Sequence, residues 1–474
     1  YNITWFGMKS INRIISLAAV LAVLAACGPE LSPDGKGNNN SSNTETGGSG
    51  NGSSANNGKD DSGTDGDSGN AEGSGSSGDS GSTGDTGASG GNSGNNQEVN
   101  PDDKFTIAKE FAGGDGSEKN PYQIKTAAQL RKLSADCAKG IHYREVHFRL
   151  ENDIRFNKNV LDENGELNGI VLKFEQWVPI GKNGTLPFGG NFNGNGHAIY
   201  GLVCTDSSYE YVGLFGNCRT VTNLTIKDSY FEGKKYVGSI AGCIDRVINC
   251  VNYATVKNTS SGEYTGGIAG NIELLADFCG NFGKVYGGNA AGVAGRAKRI
   301  RNSFNYGNVD GISWVAGIVA IFPGSAYEIT NCVNLGVISC RTSKNLRVGG
   351  IASYFSRFQV VINVVNYGMV LKSVSGIGAL VGTYFKDNSA GSGNYTKLCH
   401  GYYLESTSYR AVGANSSLCP QTDVLSMKSE EMKSQDFLDK LNANVAELKE
   451  IYPQYNFCNW KFGKEGFPVL DWMN

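Results

Sequence analysis

Zinc-dependent hydrolysis needs a His-Glu-x-x-His pair on one helix face. The four histidines of this 474-residue chain, His142, His147, His197 and His400, do not supply one. The nearest approach, His142-Tyr-Arg-Glu-Val-His147, has the wrong spacing. With Val146, Phe148 and Leu150 it alternates as a half-buried strand that turns His147 and Arg149 outward. Glycan cleavage needs carboxylates, or Lys and Arg with acidic partners, converging on one groove. Asp245, Glu263, Glu273, Asp277 and Asp310 occupy different places in the repeated blocks of the chain, so stacking alone would pair none of them. There is no phosphate-cradling glycine loop followed by Lys and no Gly-x-Ser-x-Gly elbow. The expectation is a protein that is not an enzyme, with no catalytic, cofactor-binding or metal-binding residue.

Two features could bind without catalysing. Tyr253, Phe282, Tyr306 and Tyr367 recur once per block, a column that would either stack on sugar rings or pack on itself. Arg296, Lys298, Arg299 and Arg301, with Arg341, Lys344 and Arg347 at a neighbouring turn, would either draw anionic glycans or matrix or form a solvated face. Nothing suggests nucleic acid. Of the 12 cysteines, those after Cys27 are odd in number, so not all can pair within the chain. Cys250, Cys279 and Cys332 share one position with Ser303 and Val364, which reads as a small inward-facing residue rather than a metal ligand. Cys399 and Cys419 are the best candidates for a disulfide.

The elements that must position these residues come from a degenerate repeat of about 25 to 33 residues between Tyr211 and Gly382. Each copy opens on a small, β-branched phrase such as Thr265-Gly-Gly-Ile-Ala-Gly270 or Val348-Gly-Gly-Ile-Ala-Ser353. It continues to a second phrase such as Asn249-Cys-Val-Asn-Tyr253 or Asn302-Ser-Phe-Asn-Tyr306. A block this short cannot bury its own apolar face and must stack on its neighbours. Aligned Asn252, Asn281, Asn305, Asn334 and Asn366 would then form a ladder at one turn, each amide bonding to the next and to turn carbonyls. Thr126 to Ala138, with Leu130, Leu133 and Cys137 on one face, and Ser429 to Lys449 read as helices. They suit caps for the first and last coils, whose edges need covering.

The first residue is Tyr, so Met8 is expected to be the true start, followed by a basic head (Lys9, Arg13) and an apolar stretch from Ile14 to Ala26. Residues 28–100 are nearly all Gly, Ser, Asn, Asp and Thr and cannot repay the entropy of folding. A tether of this length reaches about 45 to 50 Å. Its acidity accounts for more than the whole chain's net charge of -3, leaving the folded part mildly basic.

Phe111-Ala-Gly-Gly-Asp-Gly-Ser-Glu-Lys-Asn-Pro-Tyr-Gln-Ile124, Trp177-Val-Pro-Ile-Gly181 and Phe188-Gly-Gly-Asn-Phe-Asn-Gly-Asn-Gly-His-Ala-Ile-Tyr-Gly-Leu202 resemble the opening of the GLUG-motif proteins. Tyr211-Val-Gly-Leu-Phe-Gly216 and its successors resemble the GLUG repeat. The resemblance implies a right-handed parallel β-helix and an adhesin-like surface protein of Bacteroides-type bacteria. Asn193 stands where the family has Asp, which argues against a metal or acid role there, and Ala320 stands where a Gly is expected. Leu24-Ala-Ala-Cys27 resembles a bacterial lipobox, which implies diacylglycerol on Cys27 and outer-membrane lipid as a partner.

The resulting expectation is an all-β fold, a right-handed parallel β-helix (β-solenoid) with small α-containing caps at both ends. A signal peptide covers 1–26, the lipidated Cys and tether 27–100, the N-terminal cap and first coils 101–210, the GLUG-like repeats 211–400 and the C-terminal cap 401–474. The function expected is that of an outer-membrane lipoprotein at the cell surface with a non-catalytic binding surface for host or microbial glycan or matrix. The alternative is a polysaccharide-binding or polysaccharide-degrading surface lipoprotein, and a purely structural envelope component is a third reading.

Overall fold

A computed structural model describes residues 105–473, except 183, 185–186, 323–326, 343–346, 356–358, 372–375, 385–396 and 406–408. The leader, Cys27, the tether and Lys344 lie outside the described residues.

Each repeat makes one coil of a parallel β-solenoid of about nine turns. A coil runs through three strands in order. The first belongs to a seven-stranded sheet that includes Tyr230–Gly233, Thr255–Asn258 and Val285–Gly287. The second belongs to another seven-stranded sheet that includes Tyr236–Val237, Tyr264–Gly266 and Asn289–Ala291. The third joins a long sheet through Phe215–Lys227, Ala241–Asn252 and their successors. Pairing is parallel and in register from coil to coil: Tyr236 lies opposite Tyr211 and Tyr264, and Asn252 opposite Ile226 and Asn281. One contiguous core of Ile, Val, Leu, Phe and Ala side chains fills the interior.

The long sheet does not keep strict alternation. Each coil holds one residue there in the left-handed region: Asn223, Asn249, Phe278, Asn302, Asn331, Asn363, His400 and Asp423, with φ between 45 and 56. That residue bends the strand and resets which face follows. Val247, Cys250 and Asn252 are therefore all fully buried although three and two positions apart. Asn tolerates this backbone better than other side chains with a Cβ.

Helix α1 (Ala127–Ala138) starts on a Thr126 cap reciprocated by Gln129, and buries Leu130, Leu133 and Cys137 in the first coils. The expected carboxy-terminal helix is two: α2 (Ser429–Met432) and α3 (Gln435–Ile451), separated where Ser434 caps α3 by accepting from the Phe437 amide. α3 and the stretch from Phe457 to Met473 reach back along the flank of the coils. Their Leu441, Val445, Phe457, Trp460 and Leu470 pack on the outward Phe304, Val333, Val365, Tyr367 and Tyr402. All eleven cysteines from Cys137 to Cys458 are free thiols. The disulfide expected between Cys399 and Cys419 is therefore absent: Cys399 lies in register with Thr422, three residues beyond Cys419.

Candidate functional site

The ladder asparagines form a single buried file. Asn252 Nδ2 donates to Asn281 Oδ1 at 2.8 Å, Asn281 to Asn305 at 2.8 Å, Asn305 to Asn334 at 2.8 Å and Asn334 to Asn366 at 2.7 Å. The same Nδ2 atoms reach turn carbonyls two residues on, from Ala254 to Gly368. The opening phrase of the repeat is tied to this file. A Cβ on Gly267, Gly292, Gly317 or Gly350 would fall within 2.5 Å of the amide of Asn281, Asn305, Asn334 or Asn366. The glycine is what lets the amide lie against the facing turn. The ladder is architecture, with no surface to offer a ligand.

The aromatic column divides. Tyr253 and Phe282 stack at 4.6 Å with rings 6° from parallel, and Phe282 meets Tyr306 at 5.7 Å and 40°. Lys227 Nζ covers the other side of Tyr253 at 5.3 Å. Tyr253 and Phe282 therefore use their facing sides on one another, while Tyr306, tilted and 47% exposed, lies outside that stack. Tyr367, expected with them as a ligand contact, is buried under the carboxy-terminal segment: Phe467 lies 4.6 Å from its ring and its hydroxyl donates to Pro468 O at 2.9 Å. It is excluded as a contact because no partner can reach it. A second stack, Tyr211, Tyr236 and Tyr264, runs up the neighbouring sheet at 5.2 and 5.5 Å. Its sequence signal is the aromatic residue before each Val-Gly or Thr-Gly pair.

The basic run also divides. Arg301 is buried, ion-paired with Glu328, and its guanidinium lies 3.4 Å from the centre of the Tyr455 ring. Arg341 pairs with Asp310 at 2.8 Å, and Arg347 lies 4.3 Å over Trp314. Arg296, Lys298 and Arg299 are half-buried on the outer face of the long sheet.

On that outer face the expectation that no carboxylates pair is corrected. The register between Ala241–Asn252 and Ala269–Asp277 is in step through Ile244 and Ile272, which brings Asp245 to Glu273, and slips by one residue before Arg246, which pairs with Leu275. Burial raises the Asp245 carboxyl and the nearby Glu273 charge raises it further, against Arg219, Arg246 and Lys298. Burial would raise Glu273 too, but hydrogen bonds from Asn271 and Lys298 hold it below the ordinary range. Asp245 lines an open groove of about 580 Å³ with Arg144, Glu145, Phe188, Asn217 and Arg219. No hydrogen-bond donor or ion-pair partner meets its carboxylate among the described residues.

No family model matches the chain. A provisionally named Gly-rich membrane protein of Evansella cellulosilytica is 34% identical over 156 residues, which is 32% of this chain and 15% of that protein. Halomucin of Haloquadratum walsbyi is 26% identical over 164 residues, 34% of this chain and 2% of that protein. The chain thus spans only a small part of the curated relatives it matches. Among solved structures, a provisionally assigned immunoglobulin A1 protease from Bacteroides ovatus is similar at a TM-score of 0.44 and 17% identity, over 78% of this chain and all of that one.

Proposed function

We propose that this chain is a cell-envelope protein that displays its solenoid at the bacterial surface, where the uncovered part of the long sheet binds a partner without catalysing a reaction. Adhesion to host or microbial glycan or matrix is the specific role. The observation that carries this reading is a contrast along one sheet: its outer face is apolar and covered at the carboxy-terminal coils, but polar, charged and open around Arg219, Asp245 and Glu273. The membrane-protein name of the Evansella relative supports an envelope location. So do the apolar leader and Cys27, which would take lipid, and the 28–100 tether that would hold the folded part clear of it.

Protease shaving of intact cells tests it. Cleavage in the tether should release the folded part into the medium, because unstructured backbone is cut readily. Release only after the outer membrane is opened would sink the surface reading.

A polysaccharide-degrading role is the second reading, favoured by one observation. Asp245 and Glu273 are neighbouring carboxylates whose proton affinities are driven in opposite directions, the arrangement that assigns an acid and a base. New reducing ends from glycans incubated with the wild-type chain, and none with Asp245→Asn, would establish it.

A further inference from the structure

We infer that the groove between residues 144–145 and the long sheet is a binding site for an acidic polysaccharide, one bearing carboxylate or sulfate groups. This rests on the surface-binding reading and adds to it a place and a ligand chemistry. The wall of the groove is a loop held in a costly conformation. Tyr143 and Glu145, on either side of Arg144, both have left-handed backbone, with φ of 49 and 60. Such residues cost on the order of 1 kcal/mol each and persist only where the surroundings impose them. Here the surroundings are the Gly189 amide donating to His142 O at 2.7 Å, the Glu145 amide donating to Gly189 O at 3.2 Å, and the Tyr143 hydroxyl donating to Asp136 at 2.8 Å. Gly189 has room for little more than hydrogen: a Cβ there would sit 3.0 Å from the Arg144 side chain. The loop therefore presents Arg144 and Glu145 in a fixed place.

The charges around the groove select the ligand. Arg144, Arg219 and Arg246 are exposed, and Arg296 and Lys298 continue the surface onto the next coils. Arg144, Arg246 and Arg296 form no ion pair among the described residues, and Arg219 reaches Glu145 only at 3.9 Å. On the acidic side, Glu273 is committed to Asn271 at 2.6 Å and Lys298 at 3.3 Å. The face therefore has guanidinium forks to spare, and planar forks bind carboxylate and sulfate in bidentate fashion. Asp245, half-buried and unbonded, is placed to accept a sugar hydroxyl between them. A volume of about 580 Å³, open at the surface, suits a few sugars of a chain that continues past the groove at both ends.

Titrating the full chain with polygalacturonate, chondroitin sulfate and neutral dextran tests this. Polygalacturonate, chondroitin sulfate or both should bind, more weakly as salt rises, while dextran does not. Tighter binding of polygalacturonate shows that carboxylate suffices, and tighter binding of chondroitin sulfate, which carries both groups, shows that sulfate adds to recognition. In Arg144→Ala/Arg219→Ala, affinity should fall at least tenfold with an unchanged melting temperature, since both side chains are exposed. Asp245→Asn should weaken binding less. Equal binding by the wild type and the double variant, or no binding to either acidic polymer, overturns the groove. Neither result touches the shaving experiment, so the groove and the surface location can fail separately.

Discussion

The outer face of the long sheet is built in two ways along the same solenoid. Around residues 215–300 it carries Arg219, Asp245, Arg246, Glu273 and Lys298 and opens onto a groove. Around residues 301–404 the outward positions further along the strand are Phe304, Val333, Val365 and Tyr402, and α3 with the 457–473 stretch lies over them. The register ties the two regions together: Thr225, Val251, Gly280, Phe304, Val333, Val365 and Tyr402 form one file. In that file the open coils carry Thr225, Val251 and Gly280 and the covered coils carry Phe304, Val333, Val365 and Tyr402, so the outward side chains grow larger and more apolar toward the cover. Apolar outward residues recruit a cover, and polar ones leave a surface free for something outside the chain.

The left-handed file shows the same division in hydrogen bonds. Asn249 is exposed and donates to Asn223 Oδ1 at 2.8 Å. Asn331 is fully buried. It donates to Asn302 Oδ1 at 2.9 Å and Cys458 O at 2.9 Å, and accepts from Asn363 at 2.9 Å and from the Trp460 indole at 2.7 Å. The cover is thus attached by polar contacts to a file that the open coils leave to solvent.

The largest expected effect comes from breaking that attachment at its most buried anchor. Trp460 is 3% exposed and its indole bonds to Asn331. Trp460→Ala should cost about 4 to 5 kcal/mol, from the lost ring and the cavity it leaves. Limited proteolysis should then cut first within residues 452–473. A variant that melts like the wild type would show that the cover contributes little and that the apolar outward file is not what separates the two regions. Asn331→Gly comes next. Glycine accepts the same φ, so the cost, about 3 to 4 kcal/mol by chemical denaturation, measures the hydrogen bonds left open under the cover.

Asp277 lies where the two regions meet. Burial raises its carboxyl to about 6, with Asn302 and Arg301 opposing and Glu328 adding to the rise. Between its ordinary value of 3.8 and about 6 the folded chain keeps a proton that the unfolded chain has already lost. Stability from this residue is therefore present below that window and is lost as pH rises through it. Asp277→Asn should stabilise the protein by about 2 kcal/mol at pH 7.5 and by little at pH 4, read as the difference between melting curves at the two values. Equal effects at both values would mean that Arg301 already neutralises the site.

How much of this was legible follows from what each feature depends on. The interior file from Asn252 to Asn366 could be read because it depends on one residue recurring in phase. The left-handed file recurs in the same phrase, as Asn249, Asn302, Asn331 and Asn363, three residues earlier. It passed unread because an asparagine required by backbone conformation looks like any polar turn residue, and because Phe278 interrupts the series. The carboxylate neighbours Asp245 and Glu273 stand at one place counted from the opening phrase, three residues after Gly242 and Gly270, and fall out of step only when counted back from the second phrase across the one-residue slip. The burial of Tyr367 depends on a segment about 100 residues away that belongs to no repeat. The covered face was announced by Val333 and Val365, but apolar residues in a solenoid strand read as interior until the bend that turns them outward is known.

The smallest expected effect separates strain from cover. Asn249 and Asn331 hold nearly the same backbone, with φ of 53 and 56, and both donate an amide hydrogen bond to the coil before. In Asn249→Gly the chain keeps a residue at ease in that conformation and loses one exposed hydrogen bond, worth about 0.5 kcal/mol or less once water replaces it. The unfolded chain gains freedom of the same order while the folded chain sheds the side chain's strain, so the net change should stay within about 0.5 kcal/mol. If Asn249→Gly instead costs as much as Asn331→Gly, the left-handed file is held by contacts between coils that are equal along its length. The cover would then be incidental to it. If the two differ by the expected 3 kcal/mol or so, the carboxy-terminal segment turns a row of turn asparagines into a structural seam, and the open coils are those that the chain has not closed over.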